Sequence, residues 1–203
     1  NRIECYNPLT KENLIKMSDK VTEVTNNILP NEDIDCVVYG CTSGTIATGH
    51  DVIEKKVRAA KPKAELTTPS TAAIKALKKL KVNKLAIFTP YSEKLNKEVV
   101  EYFKKEKFEV VSNSYLDIAA DYDIGKVDQD FLFEILSNMN TADADALFIS
   151  CTALPVLNLI ERLEKELGKP VITSNQSLIW DTLESIGMNK DILGFGKLFN
   201  LDQ

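Results

Sequence analysis

The chain has 203 residues, 44% hydrophobic and 27% charged, with a formal net charge of −5. That length can bury a proper core, and the acidic balance argues against nucleic acid or an anionic membrane as the main partner. No apolar run approaches the roughly 20 residues that cross a bilayer. One histidine, and four cysteines of which no two make a C-x-x-C pair, exclude a His-rich metal site, the usual zinc spacings and a disulfide scaffold. The expected setting is reduced and cytoplasmic.

Residues 9–29 carry Leu9, Leu14, Met17, Val21 and Val24 at helical spacing, and Pro30 ends that helix. Cys36–Gly40 is a strand, and Thr42-Ser43-Gly44-Thr45 opens a helix that runs to Lys61-Pro62. Ala64–Thr67 is a short strand, and Pro69-Ser70-Thr71 starts the next helix. Lys84–Phe88 is a buried strand with Thr89-Pro90-Tyr91 as the loop behind it. An amphipathic helix over Ser92–Lys105 leads to strand Phe108–Val111, and residues 113–126 read as irregular. A helix over Asp128–Met139 precedes a strand that ends at Cys151-Thr152. Pro155 sits early in the following helix, Val156–Leu167, which Gly168 closes with a left-handed residue. Val171–Thr173 is a strand, Ser174–Ile186 a helix, and Gly194–Leu198 a last short segment.

Strands alternating with helices of this length mean α/β with parallel sheets. The chain also repeats itself. Asp33-Ile-Asp-Cys-Val-Val-Tyr-Gly-Cys41-Thr42 and Asp143-Ala-Asp-Ala-Leu-Phe-Ile-Ser-Cys151-Thr152 share Asp-x-Asp, an apolar run, one small residue and Cys-Thr. Each copy leads on to a helix, a strand and a Thr-rich turn. The repeat points to two equivalent lobes, and a two-fold axis between them would bring the two cysteines face to face. The first lobe is 1–80, with 177–203 packing back on it, and the second is 81–176. The stretch Lys84–Tyr91 has no partner in the first half, so a strand and a site-facing loop are expected ahead of Asn1.

Ligands of parallel α/β sheets bind beyond the carboxyl ends of the strands, where both Cys-Thr pairs fall. A helix start there would stabilise thiolate. Thr42, Ser43 and Thr152 offer hydroxyls, and Tyr91 either donates its phenol to a carboxylate or covers the core. Two thiols across a small carboxylate allow two cofactor-independent reactions. In one, a thiolate removes a proton from one face and a thiol returns one to the other. In the second, a thiolate adds to an activated C=C, the adduct rotates, and elimination gives the other geometric isomer. Cys36 reads as a buried strand residue, His50 as a surface histidine and Trp180 as core. The rival class is a non-catalytic protein that binds a small carboxylate.

Tyr39-Gly-Cys-Thr-Ser-Gly-Thr45, Phe88-Thr-Pro-Tyr91, Ile149-Ser-Cys-Thr152 and Gly168-Lys-Pro-Val-Ile-Thr-Ser-Asn-Gln176 together resemble the aspartate/glutamate racemase superfamily. Within it they resemble the maleate cis–trans isomerase and arylmalonate decarboxylase branch, which includes ectoine-utilisation-type members. The resemblance implies two pseudo-symmetric Rossmann-like lobes with the site between them, no metal and no cofactor, Cys41 as nucleophile, Cys151 as acid/base, and carboxylate binding by Thr42, Ser43 and Tyr91. Arylmalonate decarboxylases keep only the second cysteine, so Cys41 disfavours decarboxylation, and Ala153 stands where glutamate racemases carry a histidine. An isomerase of a small carboxylate or dicarboxylate is expected, working as a homodimer. A racemase of an amino acid or its derivative is the alternative, favoured if Asp121 lines the site.

Overall fold

The computed structural model describes residues 1–188 and 192–200. Strands β1 (Cys36–Val38) and β2 (Glu65–Thr67) form a two-stranded parallel sheet. Strands β3 (Lys84–Thr89), β4 (Glu109–Tyr115), β5 (Ala146–Ile149) and β6 (Val171–Thr173) form a second parallel sheet in the order β4-β3-β5-β6. The central strands β3 and β5 are the longest apolar runs of the chain, and apart from Lys84 every residue in them is buried. Continuous rather than alternating apolar residues are what a parallel strand covered on both faces requires.

The helices are α1 (Lys11–Met17), α2 (Val21–Asn26), α3 (Thr42–Thr48), α4 (His50–Ala60), α5 (Pro69–Lys79), α6 (Glu93–Lys105), α7 (Asp121–Ile124), α8 (Gln129–Ser137), α9 (Ile160–Leu167) and α10 (Ser174–Ser185). Thr10 starts α1 by accepting the Asn13 N–H, and Leu14, Met17 and Val21 bury one face of the α1–α2 pair. Trp180 is buried on α10, as its spacing predicts, whereas His50 is half-buried rather than on the surface.

Several elements differ from the sequence reading, among them the helix read over 9–29, which a 3-10 turn at Ser18–Lys20 divides, and residues 113–126, which contain α7. The helix expected from Thr42 to Lys61 breaks at Gly49, whose φ of 91° is a conformation that side chains disfavour. Strand β4 runs on to Tyr115 through an irregularity opposite Leu85/Ala86, because backbone pairing with β3 carries polar, partly exposed residues that show no strand pattern. The helix after Cys151 starts late, as a 3-10 turn over Leu157–Leu159 followed by α9. Pro155 keeps Leu154, the residue before it, out of the helical region, so the stretch from Cys151 to Leu154 stays a loop. Gly168 ends α9 with φ 67°, the predicted left-handed cap.

Two buried clusters result. The larger surrounds the four-stranded sheet, with Leu85, Ile87, Phe103 and Phe148 at its centre. The smaller holds Val21, Val37, Tyr39, Ile53, Val57 and Ala64. Cys41 packs against both, and α10 packs on α5 and on β1 and β2. Among the described residues no helix is long and apolar enough to cross a membrane.

Candidate active site

Strand β1 ends at Val38, but the chain stays extended: the Tyr39 N–H donates to the Thr67 carbonyl at 3.1 Å. Cys41 (φ −137°, ψ 109°) caps α3, and its Sγ accepts the Gly44 N–H at 3.3 Å. A side chain on Gly44 would stand 2.8 Å from that sulfur and 3.0 Å from the Tyr39 hydroxyl, so only glycine permits this turn.

The second copy is built differently. Cys151 is 5% exposed and has φ 95°, the left-handed side that a residue with a Cβ adopts only under strain. Its thiol meets the Tyr91 phenol and the N–H groups of Ala153 and Leu154. The chain runs on as a loop, so the helix start expected to tune this thiol is replaced by loop amides.

Three side-chain bonds stitch the turns together. The Thr42 hydroxyl donates to Ser174 Oγ at 2.9 Å, and the same oxygen accepts the Cys151 N–H at 3.0 Å. The Thr152 hydroxyl donates to the Gly40 carbonyl at 2.9 Å. Asn175 holds the Thr152 carbonyl at 2.9 Å from the start of α10. That start is a capping box in which Thr173 and Gln176 each accept the other's N–H. Thr42 and Thr152 are thus engaged with protein atoms, while Ser43 lies beside the Cys41 thiol and Tyr91 beside Cys151. Sequence reasoning took Thr173-Ser-Asn-Gln176 for a helix-opening turn. Its repetition opposite Thr67-Thr-Pro-Ser70 was the signal, but that Ser174 reaches both cysteine turns is a tertiary fact.

Both thiols are neutral at rest. Burial pushes Cys41 from 9.0 up to about 12; the Gly44 N–H and Ser43 pull it back, and Cys151 and Cys5 push it further. Burial raises Cys151 to about 11, opposed by the Tyr91 phenol and the Ala153 and Leu154 amides and reinforced by Asp121. The expectation of a helix-stabilised thiolate is therefore corrected: desolvation outweighs the donors. Asp121 is itself half-buried, and burial raises its carboxyl against the pull of Arg2. Beside the first turn lies a cavity of about 260 Å³, lined by Arg2, Tyr39, Gly40 and Cys41 with apolar residues such as Val21 and Val37.

The family model for arylmalonate decarboxylases matches residues 6–199. The chain belongs to that family. A maleate isomerase from Geobacillus stearothermophilus is 27% identical over 200 residues, 95% of this chain and 79% of that protein. An arylmalonate decarboxylase from Bordetella bronchiseptica is 29% identical over 137 residues, 66% of this chain and 57% of that one. The crystal structure of a maleate isomerase from Pseudomonas putida superimposes with a TM-score of 0.89 at 26% identity, covering 98% of this chain and 83% of that one. The resemblance carried by the Cys-Thr-Ser-Gly, Thr-Pro-Tyr and Ser-Cys-Thr motifs is borne out, and so is the α/β class with parallel sheets.

Proposed function

We propose that this protein is a cofactor-independent isomerase of a small dicarboxylate, maleate or a close relative, with Cys41 and Cys151 as the working pair. The observation that carries the reading is the Ser174 hydroxyl, which binds the residue after one cysteine and the amide of the other, joining two turns far apart in sequence. The maleate isomerase relatives support the same reading.

In this scheme Cys41 enters as thiolate and adds to one carbon of the C=C. The π electrons move to the neighbouring carbon and into its carboxylate as an enolate. Cys151 gives its thiol proton to that carbon, leaving a succinyl thioether on Cys41. Rotation about the new single bond precedes return of the proton to Cys151 and breakage of the C–S bond, which releases the trans isomer and the Cys41 thiolate. Ser43 and Tyr91 hold the carboxylate and its enolate form. Thr42 and Thr152 keep the two turns in register. The division into lobes 1–80 and 81–176, with 177–203 folding back, is offered on the same footing; packing of α10 on α5 supports it, and 189–191 and 201–203 lie outside the described residues. A homodimer in the cytoplasm suits four free thiols.

The test is proton NMR of maleate with catalytic amounts of the protein. Growth of the fumarate singlet is expected; no conversion of maleate or of substituted maleates would sink the isomerase reading. A second reading, racemisation of an amino-carboxylate, draws on Asp121, whose carboxylate reaches the field of Cys151 and would attract an ammonium group while repelling a second carboxylate. Obligatory deuterium wash-in at the α-carbon in D₂O would select it.

A further inference from the structure

Tyr39 takes no part in the scheme above, yet its hydroxyl is among the buried polar atoms near the reacting groups that have no partner, as is Ser150 Oγ beside Cys151. It is 7% exposed, and its hydroxyl is fully buried without a hydrogen-bond partner among the described residues. An orphaned buried hydroxyl costs about 1–3 kcal/mol, a cost that a residue serving only as core would avoid as phenylalanine. The hydroxyl is not aimed at random. It and the Cys41 sulfur crowd the same missing Cβ of Gly44, 3.0 Å and 2.8 Å from that point. The Gly44 N–H already donates to the sulfur at 3.3 Å, and Ser43 lies beside it.

We propose that the Tyr39 phenol is a positioning donor kept unpaired in the resting protein, whose hydrogen bond is made when Cys41 becomes a thiolate. A neutral thiol is a weak acceptor and leaves the phenol idle; a thiolate is a strong one, and the bond to it is charge-assisted. The hydroxyl is not yet in hydrogen-bond geometry with the sulfur, so a small shift of the Tyr39 ring or of the Cys41 side chain has to close the bond. Tyr39 keeps its own proton throughout, because burial first, and then Cys41 and Cys5, push its phenol above its ordinary value. The thiol proton leaves to solvent, since Cys151 is itself a protonated thiol, and Tyr39 supplies the third donor that burial otherwise denies the anion. The groups facing Cys41 are Tyr39, Cys151 across the turns, Tyr91 behind Cys151 and Cys5 of the N-terminal segment, with Arg2 on the shared cavity wall. Each thiol thus has one phenol, Tyr39 from the chain after β1 and Tyr91 from the loop after β3.

The inference rests on Cys41 being the attacking thiol, but its test does not depend on the substrate. Site-resolved iodoacetamide labelling of Cys41, followed by mass spectrometry from pH 7 to 10, is compared between the wild type and Tyr39→Phe, with thermal melting and maleate turnover measured on the same samples. Expected are a roughly tenfold slower labelling of Cys41, the worth of one charge-assisted bond, unchanged labelling of Cys151, and a melting temperature equal to or above wild type. An unchanged labelling profile at Cys41 overturns the proposal. So does a loss of several degrees in melting, because a hydroxyl that holds the fold is not unpaired at rest. Slower labelling in a protein that turns over no maleate would uphold this role and defeat the maleate reading alone.

Discussion

The two Cys-Thr turns began as near-copies in sequence and became unlike devices in the structure. Cys41 has ordinary extended geometry, caps α3 and is half-buried against both cores. Cys151 is almost wholly buried, sits at φ 95° and is followed by a loop that Pro155 keeps from closing into a helix. One turn obtains its donors from a helix amide and a side-chain hydroxyl, the other from two loop amides and a phenol brought from another strand. A sequence repeat therefore conserves where a thiol is placed without conserving how it is tuned, since tuning depends on the amides and phenols that the rest of the fold delivers.

The sharpest way to break this comparison is to remove each thiol. Cys41→Ala and Cys151→Ala should each lower maleate turnover by about a thousandfold or more with the fold intact. A near-wild-type rate in either variant means that the turns are not a working pair. Next in size is Ser174→Ala. It leaves the Thr42 hydroxyl and the Cys151 amide unpaired in a fully buried place and should cost about 1–3 kcal/mol in urea unfolding. Turnover should fall with it, and unfolding that matches wild type would show that the stitch carries no weight.

Alkali offers a third probe. A thiol raised in the folded state contributes stability that is complete below the unfolded value of 9.0 and is lost as pH climbs toward about 11 for Cys151 and about 12 for Cys41. The unfolding free energy, and the melting temperature with it, should decline above pH 9, the free energy at a limiting slope of about 1.4 kcal/mol per pH unit for each thiol. In Cys41→Ala the decline should be shallower, and an equal decline would mean that Cys41 titrates normally. Glycine scanning separates the backbones by a smaller margin. Cys151→Gly should be more stable than Cys151→Ala by about 1 kcal/mol, because glycine takes φ 95° without strain, whereas at Cys41, the extended N-cap of α3, glycine gains only its ordinary N-cap preference over alanine. The smallest effect belongs to Asp121→Asn, which should speed alkylation of Cys151 a few-fold while leaving Cys41 unchanged, because Asp121 is a minor contributor there.

Much of this was legible in the chain itself. Local and repeating signals carry it: the apolar runs Leu85–Phe88 and Ala146–Ile149 could only be buried parallel strands, Gly168 only a helix end, and the doubled Cys-Thr only a pair at strand ends. Those features depend on near neighbours and on hydrophobic pattern, which a sequence displays directly. Tertiary structure decided the rest. It brought Ser174 to Thr42 and Cys151, engaged the Thr152 hydroxyl with Gly40, and set Tyr39 beside Cys41 without a partner. It also reversed the electrostatics of both thiols, because a helix start favours the anion locally, while desolvation is a property of everything packed around the sulfur.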